Sequence, residues 1–205
     1  MTVTLLLSDP SHPAFPFLKK WCDENSYRLC HSSDSLNDGD YLFLISCTEI
    51  LYKSLIKKFK RVLVLHESDV PLGRGWSPLA WQIIEGYNEI PVTLMECAHP
   101  VDSGNILIKR YPRFKGHELY DEIHARITQC KIEMIEAFLK NPDIPSTPQS
   151  GMPTFYRKRT PSDSRIDENT SISDNFNLLR IADPRFPAFF EINGHRYEIT
   201  IKKHE

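Results

Sequence analysis

The chain has 205 residues, of which 40% are hydrophobic and 25% charged, and its formal net charge is −2. That length suits one domain, or one domain with a small appendage, and the composition is that of an ordinary globular protein. No dominant run of Lys and Arg is present, which argues against a nucleic acid as a large substrate, because phosphate backbones are met with concentrated positive charge. Five cysteines without C-x-x-C spacing read as reduced thiols, not as a disulfide framework. The start, MTVTLLLSDP, lacks the charged n-region of a signal peptide, and no apolar run approaches the ~20 residues of a membrane span. A cytoplasmic protein with no membrane partner is expected.

Residues 3–7 form a short apolar run that stops at Ser8-Asp9-Pro10, as a buried strand does before a turn. Residues 15–24 read as a helix, with Pro16 tolerated in the first turn. Residues 41–45 and 62–65 are two more continuous runs of β-formers, the pattern of parallel strands covered on both faces. Between them, residues 50–59 carry helical spacing with a lysine-rich side, so strand, helix and strand make a βαβ unit. After the loop HESDVPLGRGWSP, Ser77-Pro78 is expected to cap and start a helix that runs to about Glu85. Residues 90–95 and 105–110 read as strands around a loop holding Asp102-Ser103-Gly104. Residues 115–140 are the clearest helix, with Leu119, Ile123, Ile127, Cys130, Met134 and Phe138 in one apolar stripe. Residues 141–153 hold four prolines and read as a linker. A short helix over 174–181 follows, then a hairpin of 188–192 and 195–202 around Asn193-Gly194, a pair suited to positive φ at both central positions.

The elements therefore predict an α/β protein with a mostly parallel sheet. In such sheets ligands bind beyond the carboxyl ends of the strands. His66 directly follows one strand and emerges at that edge, although a lone histidine there is more often bonded to backbone. Asp102, in HPVDSG, is by itself an ordinary turn residue. If its loop neighbours that of His66, its carboxylate can orient the imidazole and favour the charged ring. The loop PLGRGWSP has two glycines that permit close approach of a ligand to backbone, but it is not a phosphate-binding P-loop. The turn SDPSHPAF carries no dinucleotide fingerprint. Cys47 and Cys97 read as small buried hydrophobes, and no set of residues has metal-site spacing.

Taken together, LHESDVPLGRGWSPLAWQIIEG and IPVTLMECAHPVDSGNI resemble the folate-dependent formyltransferases. His66, Ser68, Pro71, Arg74, Gly75, Thr93, Asp102 and Gly104 match the family motif in order and approximate spacing. The resemblance is good over about residues 41–140. It implies a Rossmann-like formyltransferase fold, with a catalytic domain over 1–140, the linker over 141–153 and a small extension over 154–205. It implies N10-formyltetrahydrofolate as donor and no metal. His66 and Asp102 would be catalytic. The backbone of Glu49, Ile50 and Leu51 and the loop of Ala98, His99, Pro100, Val101 and Asp102 would hold the pterin. Ser68, Arg74, Gly75 and Trp76 would meet the amine substrate, while Trp81 would belong to the core.

GRGWSP with VTLMEC and the tail FYRKRTPSDSRID look most like the sugar N-formyltransferase branch. The implied acceptor is a nucleotide-linked amino sugar, such as a UDP-4-amino sugar of a pseudaminic-type pathway. Two departures stand out. The family has Asn two residues before the histidine, where this chain has Val64, and the N-terminal part lacks one strand–helix unit. Hydrolysis of the donor, an inactive nucleotide-sugar or folate-binding module, and transfer to glycinamide ribonucleotide are the alternatives. The tail is expected either to complete the active site or to form a homodimer contact.

Overall fold

The structure is a computed structural model that describes residues 1–204. In chain order its elements are β1 (Val3–Leu6), α1 (Phe15–Asn25), β2 (Arg28–Cys30), β3 (Gly39–Ile45), α2 (Lys53–Ile56), β4 (Phe59–His66), β5 (Arg74–Gly75), α3 (Pro78–Ile84), β6 (Val92–Glu96), β7 (Ile106–Arg110), α4 (Tyr120–Lys140), β8 (Phe155–Tyr156), α5 (Ile172–Ile181), β9 (Ala188–Ile192) and β10 (His195–Ile199). One six-stranded sheet runs β2-β1-β3-β4-β6-β7. Its first four strands are parallel, β6 is antiparallel to β4, and β7 is antiparallel to β6. This is the α/β architecture with a mostly parallel sheet that the sequence predicts.

The continuous apolar runs are explained by burial on both faces, with alternate residues going to opposite sides. Leu5, Phe43, Leu63 and Leu65 pack with α1 and α4 residues such as Leu18, Trp21, Ile135 and Phe138. Leu6, Leu42, Leu44 and Val62 face the other way, into a smaller cluster with Leu36, Leu51 and Phe59. Among the described residues no long helix covers this second face. The helix expected over 50–59 shrinks to the four residues of α2. Leu51 is buried between exposed Ile50 and Tyr52, an alternation that fits extended chain, and Phe59 already belongs to β4.

Other boundaries also shift. α4 starts five residues later than expected, because Glu118 accepts the N–H groups of Lys115 and Gly116 and closes a turn there. α3 begins at Pro78, but Ser77 is left-handed (φ 50°) and its side chain caps nothing. β2 went unseen in the sequence; it reaches β3 through a three-residue 3-10 turn, Ser33–Ser35, without a helix. α5 starts two residues early because Ser171 and Asp174 form a reciprocal cap. The hairpin is present, with φ of 53° at Asn193 and 77° at Gly194, and ends at Ile199. None of the helices among the described residues is long and apolar enough to cross a membrane.

A packed helix and a paired strand, with side-chain contacts beside them, hold the tail to the rest. α5 packs on α3 and α4. β8 pairs in parallel with β5, inside the PLGRGWSP loop. There Gly75 adopts φ 96°, and an added Cβ would stand 2.5 Å from the Tyr156 carbonyl oxygen. Trp81, expected in the core, is half-buried under this tail, where its ring stacks on Tyr156 and its indole N–H donates to the Arg157 carbonyl.

Candidate active site

A cavity of about 840 Å³ opens where β3 and β4 end. One side of it is a slot. Residues 46–51, after β3, form one wall; residues 97–102 form the other; Leu44 and Val64 lie at its base. The route by which residues 97–102 arrive was not legible beforehand. Because β6 is antiparallel, Glu96 pairs with Leu63 and Thr93 with His66, so β6 ends opposite the middle of β4, away from its carboxyl end. The loop then returns across the thinly covered second face and delivers Asp102 to the carboxyl edge. Gly104 permits this path: a Cβ there would stand 1.7 Å from the Glu96 carbonyl oxygen.

His66 is the last residue of β4 and, two positions after Val64, shares its face. Both His66 and Asp102 are buried, at 7% and 8% exposure. His66 Nε2 lies 3.0 Å from the Gly73 carbonyl oxygen and 3.8 Å from Asp102 Oδ2. A carbonyl can only accept, so Nε2 carries a proton and donates it to Gly73. The carboxylate is thus within ion-pair range but outside the hydrogen-bonding reach expected of it. It accepts instead from the Gly75 N–H at 3.0 Å. Asp102 itself is left-handed (φ 59°), a conformation that aspartate tolerates better than most residues.

Two residues unnoticed in the sequence fix this arrangement. Gln149, in the linker, donates from Nε2 to the carbonyls of Asp102 (2.9 Å) and Gly104 (2.8 Å), while its Oε1 accepts from Arg74 Nη2 (2.6 Å) and Nε (3.2 Å). Thr154 accepts the Gly73 N–H at 2.8 Å. The linker therefore braces both the Asp102 loop and the loop after β4.

The other side of the cavity is polar. Asp9 and His12 come from the turn after β1, Tyr120 and His124 from α4, and Lys158, Arg159, Asp183 and Arg185 from the tail. Beside His66, Glu67 pairs with Lys131, which is 1% exposed. Burial alone would raise the Glu67 carboxyl, but the ammonium of Lys131 overcomes it and holds the group at about 2. Burial, reinforced by Lys131, pushes His12 down to about 4 and His124, with His12 also against it, to about 3, so both rings are neutral at pH 7. The rings meet edge to face at 5.5 Å. Asp9 and Asp183 share the guanidinium of Arg185 at 2.6 and 2.7 Å. Lys131 left a trace in the sequence, as a lysine inside the apolar stretch of α4; Asp9 and His12 had none beyond following a strand.

Glu49, Ile50, Leu51, Ala98, His99, Pro100, Val101 and Asp102 all line the cavity, as do Gly75 and Trp76. Ser68 and Arg74 do not. The Ser68 hydroxyl is buried without a partner, while its carbonyl accepts from Thr93. Arg74 is spent on Gln149. Cys47 and Cys97 are half-buried on the slot wall, their thiols pushed up by burial. Among the described residues no group of three or more His, Cys, Asp or Glu could hold a metal ion.

The fold is an α/β sheet with a cavity at the carboxyl edge of its strands, and comparison gives its class. Residues 11–138 match the family model described as Formyl transferase. The match spans more than half of the chain, and the chain belongs to the formyl transferase family. A methionyl-tRNA formyltransferase from Clostridium thermocellum superposes with a TM-score of 0.84 at 20% identity, over 100% of this chain and 94% of that one. A sugar N-formyltransferase from a Shewanella species gives 0.72 at 15%, over 100% and 98%. HypX from Aquifex aeolicus, in complex with tetrahydrofolic acid, gives 0.76 at 19%; 98% of this chain matches 37% of that one. At these identities the likeness is one of fold.

Proposed function

We propose that this protein moves a formyl group from N10-formyltetrahydrofolate to the amine of a nucleotide-linked amino sugar. The observation that carries the reading is the His66–Asp102 pair, buried at the junction between an apolar slot and a polar chamber of one cavity. The slot fits a flat polar heterocycle: apolar side chains at its base and backbone N–H and C=O groups along both walls. The donor supplies the activated formyl carbon. With Nε2 already protonated, His66 takes up on Nδ1 the proton that the attacking amine releases and returns it to the folate nitrogen as the bond from that nitrogen to the formyl carbon breaks, and Asp102 stabilises the imidazolium in between. When the Nε2–H turns from Gly73, it can donate to the carbonyl oxygen as negative charge develops there.

The test is mass spectrometry for a one-formyl mass gain across a panel of amino-sugar nucleotides, with formyltetrahydrofolate as donor. His66→Asn and Asp102→Asn should each lower turnover by at least ~10²-fold, the size of positioned proton transfer. Near-normal turnover in both variants would remove the assignment. One observation favours a second reading, a binding module without turnover: Val64 puts an aliphatic side chain where the family motif has Asn, and the nearby Gly75 N–H is already given to Asp102. Tetrahydrofolate binding without any transfer would select it.

A further inference from the structure

The polar chamber has two uncommitted positive charges, and both lie in the tail. Asp9 and Asp183 share Arg185, so that trio keeps one net negative charge and repels an anion. Glu67 is satisfied by Lys131, and Arg157 by Asp163. Among the described residues, neither Lys158 nor Arg159 takes part in an ion pair, yet both line the cavity. Arg159 is half-buried; its Nη2 donates to the Asp163 carbonyl at 3.2 Å, and its buried Nε has no partner at all. Burial disfavours its charged form. Leaving a guanidinium N–H buried and unmatched is costly, and an anion that accepts from it removes the cost. Lys158 is exposed, with its ammonium 4.9 Å from the centre of the Trp76 ring, so it is free to reorient.

We propose that Lys158 and Arg159 are the phosphate-recognising pair of the acceptor site, taking the diphosphate of the nucleotide-linked substrate. This rests on the acceptor class proposed above, and it moves the anion contact from Arg74, which is tied to Gln149, to the tail.

The test is titration calorimetry of the full chain with inorganic pyrophosphate, UDP and dTDP, with uridine and thymidine as phosphate-free controls. The diphosphates should bind at least ~10-fold more tightly than the nucleosides. Lys158→Gln and Arg159→Gln should each weaken diphosphate binding by ~10-fold, the loss of one charge-assisted contact, with tetrahydrofolate affinity unchanged. Lys158 is exposed, so its replacement does not threaten the fold, and Arg159→Lys should recover part of the loss. Diphosphates that bind no better than nucleosides, or an affinity unmoved in both Gln variants, overturns the pair. Its failure is distinguishable from that of formyl transfer: a wild type that formylates amino sugars while both variants keep full diphosphate affinity refutes the pair alone. A diphosphate site that responds to both variants in a protein without transfer supports the pair and refutes the transfer.

Discussion

Removing the Gln149 amide should damage the active site from a residue that touches no substrate. Gln149→Ala deletes two bonds to backbone carbonyls and two from the Arg74 guanidinium. Each neutral bond contributes about 1 kcal/mol net and each charge-assisted one about 1.5–3. Arg74 is only half-buried, and water can replace much of its share. The expected net loss is therefore about 2–3 kcal/mol, or ~4–12 °C in Tm for a chain of this size. Because the Asp102 and Gly104 carbonyls lose their only braces from the linker, the Asp102 loop loosens and kcat should fall about tenfold, one factor of RT ln 10 in transition-state stabilisation. Gln149→Glu separates the two halves. It keeps and strengthens the Arg74 contact, but points an oxygen at two carbonyl oxygens, so activity should fall as far as in the Ala variant with a smaller loss of stability. Urea unfolding followed by fluorescence, alongside turnover, reads both quantities. A Gln149→Ala protein that loses less than ~0.5 kcal/mol and keeps its kcat refutes the bracing argument.

Three further outcomes follow from the same structure. Gly104→Ala cannot fit beside the Glu96 carbonyl without displacing backbone, and should cost at least ~3 kcal/mol or prevent folding, as scored by soluble yield and thermal unfolding. Lys131→Met leaves the Glu67 carboxylate buried without its cation, and should cost about 3–5 kcal/mol; the double variant with Glu67→Gln should recover at least half of that in chemical unfolding. Stability should also fall with acid. The unfolded chain protonates His12 and His124 below pH 6.5, whereas the folded chain holds them neutral to about 4 and 3. Below 4.5 the unfolded chain also protonates Glu67, which the fold keeps ionised to about 2. A loss of the order of 6 kcal/mol between pH 6.5 and 4, about 3 for each histidine, is expected in urea titrations. Replacing both histidines by Gln should flatten that limb, and an unchanged slope would refute the reading.

Periodicity exposed the parallel strands and α4 because those segments are buried on a whole face or two. It failed over residues 50–59, where a lysine-rich, helix-like spacing concealed buried Leu51 between two exposed neighbours, a four-residue helix and the buried first residue of β4, Phe59. It missed β2, β5 and β8, whose two or three residues are too few to show a period and whose pairing depends on partners distant in the chain. His66 and Asp102 could be found because each follows a recognisable loop pattern. The antiparallel turn of β6, which sends residues 97–104 back over the sheet, has no local signature. Arg74 was misread for the opposite reason. A guanidinium between glycines looks available for a ligand, and only the folded linker reveals that a glutamine 75 residues onward occupies it.

The pairing of β8 with β5 makes the tail and the loop after β4 one mechanical unit. A truncation before residue 154 would strip the N–H groups of Gly73, Arg74 and Trp76 of their partners at once. Transplanting the tail onto another scaffold to change acceptor preference would accordingly have to carry residues 71–77 with it.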